Sequence, residues 1–215
     1  MIHKNCLLIF FFFFIVIFNI KGQSEKLSYS FEYSPNFSIL TDGLIFSTKA
    51  KLSHNVNFRL LYELNKSARF TIGLGYLNAG DVNESTIGGT LGIESIEFID
   101  SYHYVFLPIG LKYYIGDFYI LPELALAVNV ANKTTQHIVY INGDRETEFR
   151  DIVLNSGSFN PITVPILLGI GVDFELGGNS FSLGAKLYHS LNTVIWDVPR
   201  KAHYQGVGLL FGVNF

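Results

Sequence analysis

Along eight stretches of the chain, apolar side chains alternate with small or polar ones, and this period of two constrains the fold more than any other feature. In VNFRLLYEL, Val56, Phe58 and Leu60 fall on one side of the pattern and Arg59 on the other. Such alternation is typical of a β-strand with one apolar face. YQGVGLLFGVNF alternates in the same way up to Phe215. The other stretches are 27–34, 69–76, 104–114, 118–130, 162–176 and 181–188. We therefore predict an all-β fold of eight strands.

The connections between these strands alternate in length. Residues 65–68, 116–117 and 177–179 form short links rich in turn-forming residues. Long polar links span 35–48, 78–101, 132–160 and 190–202. An even number of strands with short turns at one end and long loops at the other describes an antiparallel up-and-down transmembrane β-barrel. In that architecture the short turns are periplasmic and the long loops extracellular.

A soluble eight-stranded barrel is the main alternative, and composition separates the two. A soluble barrel keeps its apolar face inside and needs a strongly polar outer face. Here the face opposite the apolar one is mostly Gly, Ala, Ser and Thr, and the chain holds 20 Gly and 20 Phe with only 15% charged residues. Small residues suit the interior of a narrow barrel. The sequence therefore favours a barrel whose apolar face contacts outer-membrane lipid.

Aromatic residues flank each short turn on the apolar face, which predicts a belt at the periplasmic membrane interface. An apolar alternation that runs to a final Phe also resembles the signal read by the barrel-assembly machinery, which we expect as a partner during insertion. The predicted belt residues are Tyr62, Phe70, Tyr113, Phe118, Phe174, Phe181 and Phe215.

The N-terminus has the basic, apolar and polar order of a secretory signal. The apolar run from Cys6 to Ile20 is shorter than a spanning helix requires. We expect residues 1–22 to be a signal peptide cut at about 22–24, with a signal anchor as the alternative, and residues 27–215 to form the barrel domain. Cys6, the single cysteine, would leave with the signal, which excludes disulfide and thiolate chemistry. Loss of Lys4 and Lys21 leaves a net charge of about −5, which does not suit nucleic acid.

Charged residues fall at inward positions of the predicted strands. Buried charges in a narrow barrel must pair or be hydrated, so we expect a salt-bridged plug rather than an ion or proton path. Glu123 is expected within ion-pair reach of Lys186 or Arg59. The predicted interior charge network is Glu32, Arg59, Glu63, Lys112, Glu123, Asp173, Glu175 and Lys186.

No pattern of catalytic, cofactor-binding or metal-binding residues stands out. His189 and Ser190 are adjacent, and neighbouring residues of a strand point to opposite faces, so they are not expected to act as base and nucleophile. A lipid-modifying enzyme of the lipid-A deacylase or acyltransferase kind remains the alternative to a non-enzymatic barrel. In the 132–160 link, Asn142-Gly143 predicts a hairpin that extends above the membrane. Loops of this kind are expected to offer a surface for an unidentified protein or glycan, with a merely solvated loop as the alternative.

The stretch YVFLPIGLKYYIGDFYILPELALAVNV resembles the PorT-like outer-membrane β-barrel domain family of Bacteroidota. In that family an apolar-Pro-apolar-Lys-Tyr strand leads through a short turn into the next strand. The resemblance implies a small barrel of the OmpX or OmpA type in the outer membrane, and some family members are linked to type IX protein secretion and gliding. Phe106 departs from the pattern, because a polar or acidic residue is expected there. Pro108, Pro122 and Pro165 are expected at β-bulges.

Overall fold

The computed structural model describes residues 26–41, 47–86, 92–150, 160–193 and 203–215. The expectations about the signal peptide and its cleavage site lie outside these residues. In the part of the chain that the structure describes, no helix is long and apolar enough to span a membrane. The strands are β1 (Leu27–Thr41), β2 (Ser47–Asn65), β3 (Ala68–Thr86), β4 (Ile93–Ile115), β5 (Phe118–Tyr140), β6 (Arg145–Arg150), β7 (Ile162–Thr163), β8 (Pro165–Leu176), β9 (Asn179–Ser190) and β10 (His203–Asn214).

Eight of these strands form a closed antiparallel ring, which confirms the predicted eight-stranded barrel. β1 to β5 pair in sequence, β5 pairs with β8, and β8 to β10 complete the ring back to β1. The backbone of Phe215 makes the last ladder step: its N–H donates to Tyr29 O at 2.8 Å and its carbonyl accepts from Tyr29 N at 3.0 Å. The two-residue β7 pairs with β5 in the same register as β8 and continues β8 upward, whereas β6 pairs with the upper part of β5.

The short turns lie where the sequence places them, and we call their end of the barrel the lower end. They are formed by residues 66–67, 116–117 and 177–178. Gly116 and Gly177 have positive φ angles of 64° and 62°, which glycine adopts without strain. At the other, upper end the strands run further than predicted: β1 continues to Thr41 and β4 begins at Ile93. In β1 the apolar alternation continues through Phe37 and Ile39, whereas between Ile93 and Asp100 of β4 apolar and polar residues do not alternate.

The interpretation of the three strand prolines as bulges is wrong. Pairing between β3 and β4 keeps one register across Pro108, from Ile72–Ile109 to Gly75–Phe106. The partners of Pro122 and Pro165 also continue in register with those of their neighbours. A proline lacks one ladder hydrogen bond, and here the ladder resumes in the same register without inserting a residue. The irregularities lie elsewhere, for example in β2 between Ala50 and His54.

The outer face of the ring is apolar and the inner face is largely polar. On β4, Leu107, Ile109 and Leu111 are 40–47% exposed, whereas Lys112 on the inner face is 3% exposed. Large apolar side chains cover the outer face of all eight ring strands, and we call this surface the apolar belt. This arrangement is the inverse of a soluble barrel and suits a lipid environment.

Candidate functional site

Four charged side chains from four strands meet inside the lower half of the barrel, and we call them the central quartet. Arg59 donates from Nε and Nη2 to the two carboxylate oxygens of Glu123, at 2.9 and 2.8 Å. Its Nη1 also pairs with Glu32. Lys186 Nζ lies 3.3 Å from Glu123 Oε2 and 3.9 Å from Glu32 Oε2. The quartet contains two acids and two bases, so its net charge is zero. Each side chain is at most 5% exposed, so the quartet blocks the interior of the barrel at this level.

Glycines on neighbouring strands make room for these long side chains. A Cβ at Gly73 would come within 3.0 Å of Arg59 Cγ, and one at Gly110 within 2.7 Å of Glu123 Cγ. Both contacts are closer than carbon atoms normally approach, so a side chain at either position would displace the quartet. The glycines on the inner face therefore allow a narrow barrel to hold long charged residues.

A second cluster lies below the quartet, near the lower mouth. Lys112 Nζ contacts both oxygens of Asp173, at 2.7 and 3.0 Å. The same carboxylate accepts hydrogen bonds from Tyr114 OH at 2.8 Å and from Ser182 Oγ at 2.6 Å. The ammonium also lies 3.9 Å from the ring centroid of Tyr119, a cation–π distance. We call these five residues the mouth cluster.

The structure places six of the eight predicted interior charges in these two clusters. Glu63 lies at the lower rim, opposite Arg69 in the β2–β3 ladder. Glu175 is also at the rim, exposed and opposite Ser180. Tyr114, Tyr119 and Ser182 were not predicted as site residues. Each of the three lies on the inward face of its strand, as Lys112 and Asp173 do. The same alternation of inward and outward positions could therefore have identified them.

Above the quartet the interior is filled by aromatic rings. Tyr204 packs against Tyr102 and Tyr104 with ring centroids 5.2 and 6.1 Å away. Phe106 and Tyr188 belong to the same buried cluster. All five rings are at most 5% exposed, so the upper half of the barrel is closed by packed rings. We call this group the aromatic core.

The predicted aromatic belt residues lie beside the short turns and point outward. Phe174 and Phe181 stack across the β8–β9 hairpin with centroids 5.9 Å apart. Tyr62 and Phe70 are direct partners across the β2–β3 hairpin. Phe118 and Phe215 are the most exposed of the seven, at 67% and 62%. Tyr113 lies on the same outer face of β4, 47% exposed.

The adjacent His189 and Ser190 point to opposite faces, as predicted. The His189 ring is outside and stacks on His203, with centroids 5.6 Å apart. Ser190 is 2% exposed, and its Oγ accepts a hydrogen bond from Tyr204 N at 2.8 Å. They do not form a base and nucleophile pair. Among the described residues, no group of three or more His, Cys, Asp or Glu side chains is arranged to hold a metal ion.

Beyond the apolar belt, the upper ends of β3, β4 and β5 continue together with β6 as a sheet that is rich in polar residues and also contains apolar ones such as Phe98 and Ile138. We call it the protruding sheet. β6 pairs with β5 through a turn that contains Asn142 and Gly143, which confirms the predicted hairpin. Gly143 has a φ of 86° and donates its N–H to Tyr140 O at 2.8 Å. Asn142 Oδ1 accepts from Asp144 N at 3.0 Å. The tip of the sheet is therefore an ordered hairpin, in which polar side chains surround the exposed Ile141.

Two carboxylates lie at the base of the protruding sheet, above the belt. Asp81 and Asp100 are direct partners in the β3–β4 ladder. Asp81 is 1% exposed, and one of its oxygens accepts from Asn83 Nδ2 at 2.5 Å. Burial, and then the charge of Asp100, raise the pKa of the Asp81 carboxyl to about 6. Unlike Glu123, neither carboxylate is joined to a guanidinium by an ion pair within the described ranges.

Comparison with known proteins agrees with the barrel geometry. A family model described as outer membrane protein beta-barrel domain matches residues 21–195. No curated protein matches the chain. Among solved structures, the Ail protein of Yersinia pestis is 13% identical with a TM-score of 0.41, covering 87% of this chain and 98% of that one. OprG of Pseudomonas aeruginosa is 11% identical with a TM-score of 0.36, covering 90% and 98%. The outer membrane enzyme PagL is 11% identical with a TM-score of 0.30, covering 83% and 98%.

Proposed function

Because the chain belongs to the outer membrane protein beta-barrel domain family, we propose that this outer-membrane barrel is a non-enzymatic scaffold whose protruding sheet binds an extracellular protein or glycan. The observation that carries the proposal is the contrast between a filled interior and an ordered sheet that projects beyond the apolar belt. A filled interior offers no path for a solute. An ordered surface on a rigid scaffold is where binding is usually placed.

The tip of the protruding sheet has the chemistry of a recognition surface. Tyr140 OH donates to Glu146 at 2.7 Å across the hairpin. Arg145 lies 3.9 Å from Glu97 of β4, which ties the hairpin to its neighbouring strand. Tyrosine and arginine are enriched in protein interfaces. The proposed partner therefore meets a surface that is ordered before binding, which lowers the entropic cost of association.

The resemblance to PorT-like barrels supports a role for this partner in protein secretion. The shared pattern spans residues 104–130, the lower parts of β4 and β5. These are the strands that continue upward into the protruding sheet, so the scaffold and the binding surface share them. The secretion role is part of the proposal and depends on the identity of the partner.

Site-specific photocross-linking tests the binding surface. A photoreactive residue at Ile141, which is 61% exposed at the hairpin tip, should capture a partner on whole cells. Phe118 is similarly exposed, at 67%, but lies at the lower end and is the matched control. Capture at both positions, or at neither, would contradict the proposal.

A hairpin deletion separates binding from folding. Thr134 and Arg150 are direct ladder partners, so residues 135–149 can be replaced by an Asn-Gly turn that joins them. We expect the shortened barrel to remain heat-modifiable on a gel and to lose the partner. Unchanged partner binding by the folded, shortened barrel would rule out the hairpin as the binding surface.

Lipid-A mass spectra test the enzymatic alternative. The double variant His189→Ala and Ser190→Ala should leave the lipid-A profile of the cells unchanged, because the two side chains lie on opposite faces of β9. A profile that differs between cells with the wild type and cells with this variant would reassign the protein as a lipid-modifying enzyme.

A further inference from the structure

The outer face of the barrel changes from apolar to basic over a few residues at the top of the belt. Tyr76 and Val105 are direct partners in its last apolar row on β3 and β4. The next outward pair above them is Asn78 and His103. One further step up, Ser101 of β4 is the direct partner of Lys133 of β5. This face therefore meets the level at which lipid acyl chains give way to headgroups.

Lys51 brings a second ammonium to the same place. Its Nζ donates to Asn78 Oδ1 at 3.1 Å, to Ser101 Oγ at 2.5 Å and to the carbonyl oxygen of Asp100 at 3.2 Å. All three acceptors are neutral, so none of these bonds cancels the charge of the lysine. Burial lowers the pKa of Lys51 to about 8, and Asp100 and Asp81 oppose that shift. The amine is therefore still largely protonated at pH 7.

Lys51 is held on the outer face by the bulge in β2. The ladder with β3 shifts register between Ala50 and His54, and a Cβ at Gly80 would come within 3.1 Å of Lys51 Cδ. The lysine stem thus crosses over the bare backbone of Gly80 to reach Asn78 and Ser101. Asn78 also lies 3.4 Å from the ring nitrogen of His103. Lys51, His103 and Lys133 lie together, and we call this group the rim patch. Burial and the charges of Lys51 and Lys133 lower the pKa of the His103 ring, so the positive charge of the patch comes from the two lysines.

The apolar surface that adjoins the rim patch is the top of the apolar belt itself. Tyr76 and Val105 lie one outward row below Asn78 and His103, and both are 39% exposed. Acyl chains can pack against this row while a headgroup reaches the lysines above it. The surface therefore places cationic side chains next to an apolar face, which matches an amphiphile with an anionic head.

We propose that the rim patch binds the phosphate group of an outer-leaflet lipid. An ammonium that is hydrogen-bonded only to neutral oxygens gains a charge-assisted bond when a phosphate approaches. Continuity with the belt favours a lipid phosphate over a free one, since the apolar part of the ligand is buried against the same face. The inference depends on the membrane location of the barrel and not on the partner proposed for the protruding sheet.

Native mass spectrometry of the purified barrel with added lipid A tests this proposal. We expect the wild type to retain phosphorylated lipid A and to retain the same lipid much less after its phosphates are removed. The double variant Lys51→Gln and Lys133→Gln should lower retention of the phosphorylated form by about tenfold or more. Equal retention of the two lipids by the wild type, or unchanged retention by the double variant, would overturn the proposal.

Lys49→Gln is the matched control, because Lys49 lies on the same strand but pairs with Glu84. This variant should leave lipid retention unchanged. If it lowered retention as much as the double variant does, the effect would come from net charge alone and the proposed site would be wrong. Lys51→Arg keeps the charge and should retain the lipid if the double variant fails to fold; loss of retention by folded Lys51→Arg would also count against the site. Inorganic phosphate in excess should not displace the lipid, and displacement would show a site for free phosphate instead.

Discussion

The lower half of the barrel is closed by ion pairs, and the upper half is closed by packed rings. In the central quartet, Arg59 binds Glu123 through two hydrogen bonds and also pairs with Glu32. In the aromatic core, Tyr204 contacts Tyr102 and Tyr104 through ring faces and edges. Buried ion pairs stabilise a protein only if every charged partner is present. Packed rings stabilise it by filling volume, whatever their charge. The two halves should therefore respond differently to substitution.

Removal of Arg59 should have the largest effect. Arg59→Ala leaves two buried carboxylates with Lys186 as their remaining cation. Loss of one member of a buried ion pair typically costs about 3–5 kcal/mol. The free energy of unfolding in detergent, measured by urea titration, should fall by that amount.

Arg69→Ala is the control for the lower half. Arg69 lies near the mouth, where its Nη1 is 3.1 Å from Tyr114 OH, and its loss should cost only about 1 kcal/mol. If both variants lost the same free energy of unfolding, burial would not explain the contribution of Arg59 to stability.

Tyr204→Ala should rank next, because it opens a cavity in the aromatic core. Truncation of a large buried aromatic side chain costs about 3 kcal/mol or slightly more. Tyr113→Ala is the comparison, since this ring is 47% exposed on the outer face, where lipid can fill the gap. Urea titrations should show a clearly larger loss for Tyr204→Ala, and a reversed order would argue that the rings do not form a packed core.

The carboxylate of Asp81 offers a smaller, pH-dependent test. Its pKa is raised by burial and by Asp100 to about 6, against an ordinary value of 3.8. The folded state thus holds the proton more tightly than the unfolded state, so the stabilising effect of that proton is lost as the pH rises from about 4 to about 6.

Asp81→Asn should remove this dependence. The variant should gain stability relative to the wild type on going from pH 4 to pH 7, by about 1–2 kcal/mol. Hydrogen exchange of β3 and β4 amides at both pH values measures the difference. A gap between variant and wild type that stays constant with pH would contradict the assigned cause.

Phe215→Ser should have the smallest effect on the folded barrel. The ring is 62% exposed at the lower rim, and its loss should cost about 1 kcal/mol. If Phe215 is also read during insertion, the amount of barrel in the outer membrane should fall while export across the inner membrane is unchanged. Leu176→Ser is the control, because Leu176 is 67% exposed near the same end but lies on β8, away from the closing seam. Equal outer-membrane levels for the two variants would exclude a special role for Phe215.

The barrel could be predicted from the sequence because one face of each ring strand is apolar. Where that contrast ends, the sequence carries less information. In the upper parts of β3 and β4 apolar residues such as Phe98 and Ile99 do not alternate with polar ones, and these segments form strands because each pairs with a neighbour, for example Glu84 with Glu97. The same reason explains why 78–101 was expected to be a loop.

The sequence predicted the buried charged residues of the interior but not its buried aromatic residues. Inward parity, together with a similar distance from a short turn, places Glu123 near Arg59 and Lys186. Tyr104 and Phe106 share that parity, yet an aromatic residue in a membrane barrel is first expected on the lipid face or at its interface. Phe106 fits inside because the facing residue is glycine: a Cβ at Gly75 would lie only 2.4 Å from the Phe106 ring. Which residues face each other across two strands depends on the register between those strands. The residue pattern of one strand does not reveal that register.

The backbone pair between Tyr29 and Phe215 joins the two ends of the described barrel. The seam that it completes pairs β1 with β10, the first and last strands of the described ring, so the barrel cannot close before both have been synthesised. Contacts between residues so far apart in sequence slow folding, although the entropic cost of the large loop grows only with the logarithm of its length. Until that seam closes, β1 and β10 each carry an open row of backbone donors and acceptors. Between its export and its insertion, the chain must therefore be shielded from the exposed β-strand edges of other chains.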